Sequence, residues 1–168
     1  MKTLTTMLIA TLTLISIQSQ AFSATSEVTW TDYEKYRDID SGDQSRKHFR
    51  ERTFKEFEEY FAELAARLPE GQVLKIDVTD VDLAGDTNAG GIHRLRIVKD
   101  IFFPRINFSY QLVNADGSVA KEDTVVVKDM NFMMGSNLKY RNKSLGYEKS
   151  MLNGWFLETF SDLLADNK

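Results

Sequence analysis

Between Gln44 and Leu68 the apolar residues Phe54, Phe57, Phe61, Leu64 and Leu68 recur at steps of 3, 4, 3 and 4. That spacing predicts an α-helix with one continuous apolar stripe, widened by Tyr60 and Ala65. Glu51–Lys55, Lys55–Glu59 and Glu63–Arg67 stand at i,i+4 on the other side, each pair worth about 0.3 kcal/mol. Asp40-Ser41-Gly42-Asp43 reads as a turn that caps the helix, and Pro69-Glu70-Gly71 stops it. Downstream the period falls to two. Leu74, Ile76 and Val78 alternate, then the apolar set shifts to Val81 and Leu83. Strand side chains cannot change parity without an extra residue, so a bulge or bend is expected near Thr79–Asp80. On that reading Asp80 and Asp82 share one face and Asp77 takes the other. Ile106, Phe108, Tyr110 and Leu112 alternate with polar residues, and Asp116-Gly117 predicts a two-residue type I′ hairpin. Its register sets Val113 opposite Ala120, Ser109 opposite Thr124, Phe108 opposite Val125 and Ile106 opposite Val127.

Val28–Trp30 and Leu95–Val98 read as short strands. Tyr147–Ala165 reads as the last helix, with Met151, Leu152, Trp155, Phe156 and Phe160 on a broad apolar face. Gly154 inside it costs about 1 kcal/mol relative to alanine, which points to a close helix–sheet contact there. Together these elements predict an α+β domain. A small antiparallel sheet of three to five strands carries the long N-terminal helix and the C-terminal helix mainly on one face. Residues 22–168 show no internal repeat or linker, so they read as one domain.

Lys2, the apolar stretch 4–17 and the small polar run ending at Ala21 have the layout of a secretory signal peptide over residues 1–21, cut after Ala21 or Ser23. The apolar middle is too short to span a bilayer, which takes about 20 residues. Lys2 is its only charged residue, so the remaining 147 residues carry 20 basic and 25 acidic side chains, a net charge of −5. That balance argues against nucleic acid as a general partner. The chain has no cysteine, so an exported form is held by packing alone, without disulfides.

Several segments together resemble a known family: Leu68-Pro69-Glu70-Gly71-Gln72, the run 77–85 (DVTDVDLAG), Pro104-Arg105-Ile106, Tyr147-Glu148-Lys149-Ser150-Met151-Leu152 and Trp155-Phe156. They are similar to an exported proteobacterial family known as domain of unknown function 3016. The resemblance covers about Val28 to Phe160. It implies a periplasmic or envelope location and supplies no activity, cofactor or catalytic residue.

Candidate chemistry is sparse. Asp80, Asp82 and Asp86, with Asp77 nearby, offer hard oxygens for Ca²⁺ or Mg²⁺. A calcium loop fails on spacing, since Ala84 stands at the third ligand position and no glutamate closes the loop. The plain alternative is a solvated strand end. Arg46, Arg50 and Arg52, with Lys47 and Lys55, open the long helix where cations oppose its dipole. An anionic ligand such as a phosphate or lipid head group would account for them. The plainer reading, which exposed charges favour, is pairing with Asp38, Asp40, Asp43, Glu51 and Glu56. Met130, Met133, Met134 and Met151 offer thioethers to Cu(I) but do not make a complete copper site, because no histidine lies nearby, and methionine more often fills core gaps. His48 and His93 are the only histidines, and there is no Gly-x-Ser-x-Gly elbow. The expectation is a non-catalytic binding domain without a cofactor. Its partner is an envelope component, met through the loop of Gly85, Gly90 and Gly91 and the segment Phe132–Tyr140. The alternatives are a metal-dependent hydrolase or calcium module at Asp80, Asp82 and Asp86, and a binder of anionic lipid or lipopolysaccharide at Arg46, Arg50 and Arg52.

Overall fold

The computed structural model of the chain describes residues 22–88, 93–134, 139–140 and 142–165. The leader read over 1–21, Gly90, Gly91 and the middle of the segment 132–140 lie outside them. The elements are β1 (Thr25–Trp30), α1 (Arg46–Ala65), β2 (Val73–Asp82), β3 (Arg105–Val113), β4 (Val119–Lys128), α2 (Gly146–Thr159) and α3 (Ser161–Ala165). The strands form one sheet in the order β1-β2-β3-β4.

The fold is α+β, but the sheet is mixed. β1 pairs parallel with β2, from Thr25 opposite Val73 to Trp30 opposite Val78, and the remaining pairs are antiparallel. The reason is connectivity. α1 does not open the domain but follows β1, and a crossover helix returns the chain to lay β2 beside β1 in the same direction. Residues 95–98 form no strand of the sheet. Ile97 makes only an isolated bridge to Asp86.

One face of the sheet makes the core. β2 buries Leu74, Ile76, Val78 and Val81, and β3 buries Ile106, Phe108, Tyr110 and Leu112. Against them α1 lays Phe57, Phe61 and Leu64, and α2 lays Leu152, Trp155 and Phe156. Full burial of a side chain of this size stabilises by about 1.5–3 kcal/mol. Phe61 meets Phe108 edge-on at 6.1 Å, and Phe108 meets Trp155 at 4.8 Å, so rings join both helices to β3. Trp30 anchors β1 to α1 by stacking on Phe54 at 4.0 Å and donating to Glu58 at 2.8 Å. The opposite face is open and polar, with Glu27, Lys75, Asp77, Gln111 and Glu122.

The bulge lies where the change of parity places it. The register skips between Val78 and Asp80, leaving Thr79 unpaired and keeping Val81 on the core face opposite Ile106. The extra residue also moves Asp80 and Asp82 onto the face of Asp77, so the expected separation of Asp77 does not occur. The hairpin pairs Ser109 with Thr124, Phe108 with Val125 and Ile106 with Val127 as expected, but Val113 meets Val119, not Ala120. Its turn is not type I′, which needs positive φ at both central residues. Only Gly117 is left-handed, at φ 85°, and its N–H bonds Asn114 O at 2.9 Å. The Asp116 carboxylate accepts from the N–H and hydroxyl of Ser118, which holds Asp116 in ordinary backbone space. Gly154 is exposed, and a Cβ there would meet nothing within 4 Å, so it makes no close helix–sheet contact.

This topology sorts the connections by length. The long ones, 31–45, 83–104 and 129–145, all leave from the end of the sheet where β1, β2 and β4 finish and β3 begins. The short ones, 66–72 and 114–118, close the other end.

Candidate functional site

After β1 the chain makes a short 3₁₀ turn at Tyr33–Lys35 and returns beside the end of β2. Asp38 N donates to Val81 O at 2.9 Å, and Leu83 N donates to Asp38 O at 3.2 Å. The Tyr36 hydroxyl donates to Val78 O at 2.6 Å. This ledge carries Asp38 and Asp40, spaced two residues apart, and Arg94 and Arg96 meet them with the same spacing. The Arg96 fork grips both oxygens of Asp38, at 2.7 and 3.0 Å, and donates to the carbonyls of Gly85 and Asp40 at 2.8 and 3.0 Å. A planar fork on a carboxylate is among the strongest polar contacts a protein makes. Arg94 pairs with Asp40. Gly85 permits the close approach: at φ +85° a Cβ would stand 2.8 Å from Ile97 O. Alongside, Arg105 pairs with Asp82 at 3.1 Å and reaches Asp80 at 3.9 Å.

These contacts set the acid strengths. Burial alone would raise the Asp40 carboxyl, but the Gly42 N–H, Arg94 and Thr87 bring it below its ordinary value. Burial and then the Asp38 charge push Asp82 up, with Arg37 opposing. Glu148, in the first turn of α2, is 3% exposed and accepts the Ala84 N–H at 2.8 Å. Burial raises its carboxyl, and the Ala84 N–H, Arg96 and Lys149 act in the other direction. Glu148 thus ties α2 to the loop that Arg96 holds from the other side. Nearby the hydroxyls of Tyr60 and Tyr140 share a buried hydrogen bond of 2.8 Å.

A groove of about 800 Å³ lies between the ledge, the first turns of α1 and residues 82–88 and 101–103. Its apolar wall is Ile101, Phe102 and Phe103. Its cationic wall is Arg46, Lys47 and Arg50. Ser45, the N-cap of α1, makes no side-chain capping bond, and the first turn holds no acid. The cap expected from residues 40–43 does not form, because Asp40 accepts the Gly42 N–H and Arg94, and Asp43 accepts the Arg94 N–H. The first N–H groups of α1 therefore have no side-chain cap.

The expected pairing of the α1 cations with nearby acids largely fails. Asp38 and Asp40 are taken by Arg96 and Arg94, and Glu56 by Lys149. Lys47 reaches Glu51 at 3.8 Å. Among the described residues Arg46 and Arg50 form no ion pair, and Arg50 lies over the Tyr33 ring at 4.3 Å. Arg52 is absent from the groove lining and donates to Gln44 at 3.1 Å. Asp80, Asp82 and Asp86 do not form a shared carboxylate site. The first two serve Arg105, and Asp86 accepts the Asn88 N–H. Among the described residues no group of three or more His, Asp or Glu side chains is placed to hold a metal ion. Of the segment 132–140, Phe132 and Tyr140 are buried, whereas Met133 and Met134 are exposed.

Sequence reading overlooked Arg94, Arg96, Arg105 and Glu148. The matched spacing of Asp38-x-Asp40 and Arg94-x-Arg96 was the available signal for the first two. It also overlooked that Ser118 and Lys121, and Ser136 and Lys139, stand at Ser-x-x-Lys spacing; the Ser118 hydroxyl donates to Asp116 and Lys121 to Asp162, so the first pair does not meet. Ser136 lies outside the described residues, and the partner motifs of such a nucleophile, Ser-Asp-Asn and Lys-Thr-Gly, are absent from the chain. No helix among the described residues is long and apolar enough to cross a membrane.

No curated protein and no solved structure matches the chain. Residues 24–158 match a family described as a protein of unknown function, and they contain every residue of the paired arginines and of the groove. The chain belongs to that family, DUF3016.

Proposed function

We propose that this chain is an exported envelope protein that acts as a non-catalytic binding domain, taking an anionic group of an envelope component into the groove at the start of α1. One observation carries the reading: among the described residues Arg46 and Arg50 line that groove without an ion pair, and of the acids that share the lining Asp38, Asp40 and Asp82 are held by other arginines, which leaves Glu34 and Asp86. A helix N-terminus bears about half a positive charge, and cations placed there raise the local potential further. A bound anion relieves that repulsion and accepts the open N–H groups. The apolar wall of Ile101, Phe102 and Phe103 suits a ligand whose charged group is attached to an apolar body. The leader at residues 1–21 supports the address. The metal-dependent alternative lacks comparable support, since arginines hold Asp80 and Asp82.

Calorimetric titration of the purified protein with inorganic pyrophosphate at low salt tests the reading. Saturable binding is expected, weakening as salt rises and falling at least tenfold in R46Q/R50Q. No heat, or heat unchanged in that variant, overturns the anion site. Turnover of phosphoesters by the purified protein overturns the non-catalytic part. Recovery of the chain from the cytosol with its leader attached overturns the address.

A further inference from the structure

Large apolar side chains left in water are gathered at one end of this molecule. Among the described residues eleven are exposed, and six of them (Leu95, Val98, Ile101, Met130, Met133 and Met134) lie in the loops 93–104 and 129–134. Those loops leave the sheet side by side, since Arg105 pairs with Lys128 and Asp129 N donates to Pro104 O at 3.2 Å. Ile101 is 68% exposed, Met130 60% and Met134 86%. The second loop is anchored, because Phe132 is buried and meets Tyr147 edge-on at 4.8 Å, which leaves Met133 and Met134 outside. Ile101 also lines the groove opposite Arg46 and Arg50. Exposed apolar side chains therefore border cations that have no acidic partner.

We propose that this end of the domain docks on an anionic lipid surface, with Ile101, Met130, Met133 and Met134 entering the boundary of the acyl chains while Arg46 and Arg50 meet lipid phosphates. The proposal rests on the anion-binding reading of the groove and names what presents the anion. Charge complementarity supports a lipid over a protein surface. Without the residues read as a leader the chain carries a net charge of −5, so anionic lipid can be met only where cations stand together, as Arg46, Lys47 and Arg50 do at the start of α1. Apolar side chains around a basic patch supply the two attractions that hold peripheral proteins at a bilayer interface.

Co-sedimentation with vesicles of phosphatidylglycerol and phosphatidylethanolamine, set against neutral phosphatidylcholine, tests this. The protein is expected to bind only the anionic vesicles, less so at high salt. M130S/M134S, at two exposed residues outside the groove lining, is expected to lower the partition coefficient by roughly tenfold or more, the effect of losing two partly inserted apolar side chains, with pyrophosphate affinity unchanged. R46Q/R50Q is expected to lose both activities. Both altered apolar residues are exposed, so unchanged thermal unfolding will show an intact fold. Pyrophosphate binding without vesicle binding overturns the lipid proposal and leaves the groove reading intact. Loss of both in the unmodified protein removes both. Vesicle binding indifferent to M130S/M134S also overturns it. So does a stoichiometric protein partner that is released by M130S/M134S, if vesicles do not bind.

Discussion

Replacing Arg96 with alanine is the sharpest test of how this end of the molecule is held together. The substitution removes two bonds to Asp38 and those to the carbonyls of Gly85 and Asp40. Both side chains of the pair are about four-fifths buried, at 20% and 19% exposure. Losing one partner of a buried ion pair costs about 3–5 kcal/mol, because the other charge is left without compensation. The residual exposure lets water reach Asp38, and the buried Arg96 Nε already lacks a partner, so the lower end, about 3 kcal/mol, is expected. For a domain of this size that corresponds to a fall in Tm of about 6–12 °C, and it is a large share of a total stability of about 5–15 kcal/mol. Urea unfolding followed by tryptophan fluorescence measures it. A double-mutant cycle with D38N isolates the pair, for which a coupling of about 2 kcal/mol is expected. R96K keeps the charge but loses the fork, so it should recover only part of the loss. If R96A costs less than about 1 kcal/mol, within the range of exposed ion pairs, the contact is a surface pair and the argument from burial is wrong.

Four further outcomes are expected. G154A replaces an exposed glycine inside α2 whose Cβ would meet nothing, so it should raise stability by about 1 kcal/mol in thermal unfolding. The Glu148 carboxyl is raised by burial in the folded state, so the native form holds its proton more tightly than the unfolded chain. Its contribution is therefore full at low pH and is lost as pH climbs through the raised value. Unfolding of E148Q against the unmodified protein over pH 4–8 should show the latter losing ground as pH rises, and a constant difference would contradict the burial. Y60F strips the buried Tyr140 hydroxyl of its partner, at about 1–2 kcal/mol, and Y60F/Y140F should cost less than the sum of the single changes. R94Q frees Asp40 beside the groove, so it should weaken pyrophosphate binding several-fold in calorimetry, with D40N/R94Q restoring it.

The parts of this structure written in short-range patterns were legible in the chain. The stripe from Phe54 to Leu64, the parity change at Thr79 and the alternation from Ile106 to Leu112 each follow from a local period and form as that period requires, although α1 ends at Ala65 and leaves Leu68 beyond it. Choices between near-equal local options were not legible. Asp116-Gly117 favours a type I′ turn by composition, yet the Asp116 bonds to Ser118 select another turn. Parallel pairing of β1 with β2 depends on where α1 delivers the chain, which no window of residues contains. The site was half visible. Arg46 and Arg50 stood out because cations at a helix start are unfavourable, but their lack of partners depended on Arg94 and Arg96, some fifty residues away.

That dependence explains why the paired arginines and the groove occupy one end. The chain places Asp38 and Asp40 in the same groove lining as Arg46 and Arg50. Opposite charges about 4 Å apart attract by about 4 kcal/mol near a protein surface, so aspartates freed there would compete with a bound anion for Arg46 and Arg50. Arg96 and Arg94 prevent this by taking both carboxylates, Arg96 in a bidentate grip that an exposed arginine on α1 cannot match. Glu148 fixes the same loop from α2 through Ala84, so the arrangement does not rest on one contact. The α1 wall therefore keeps its cations unpaired because Asp38 and Asp40, which share the groove lining, are bound by residues distant in sequence. Substitutions at Arg94 or Arg96 should change ligand binding even though neither side chain belongs to the groove lining.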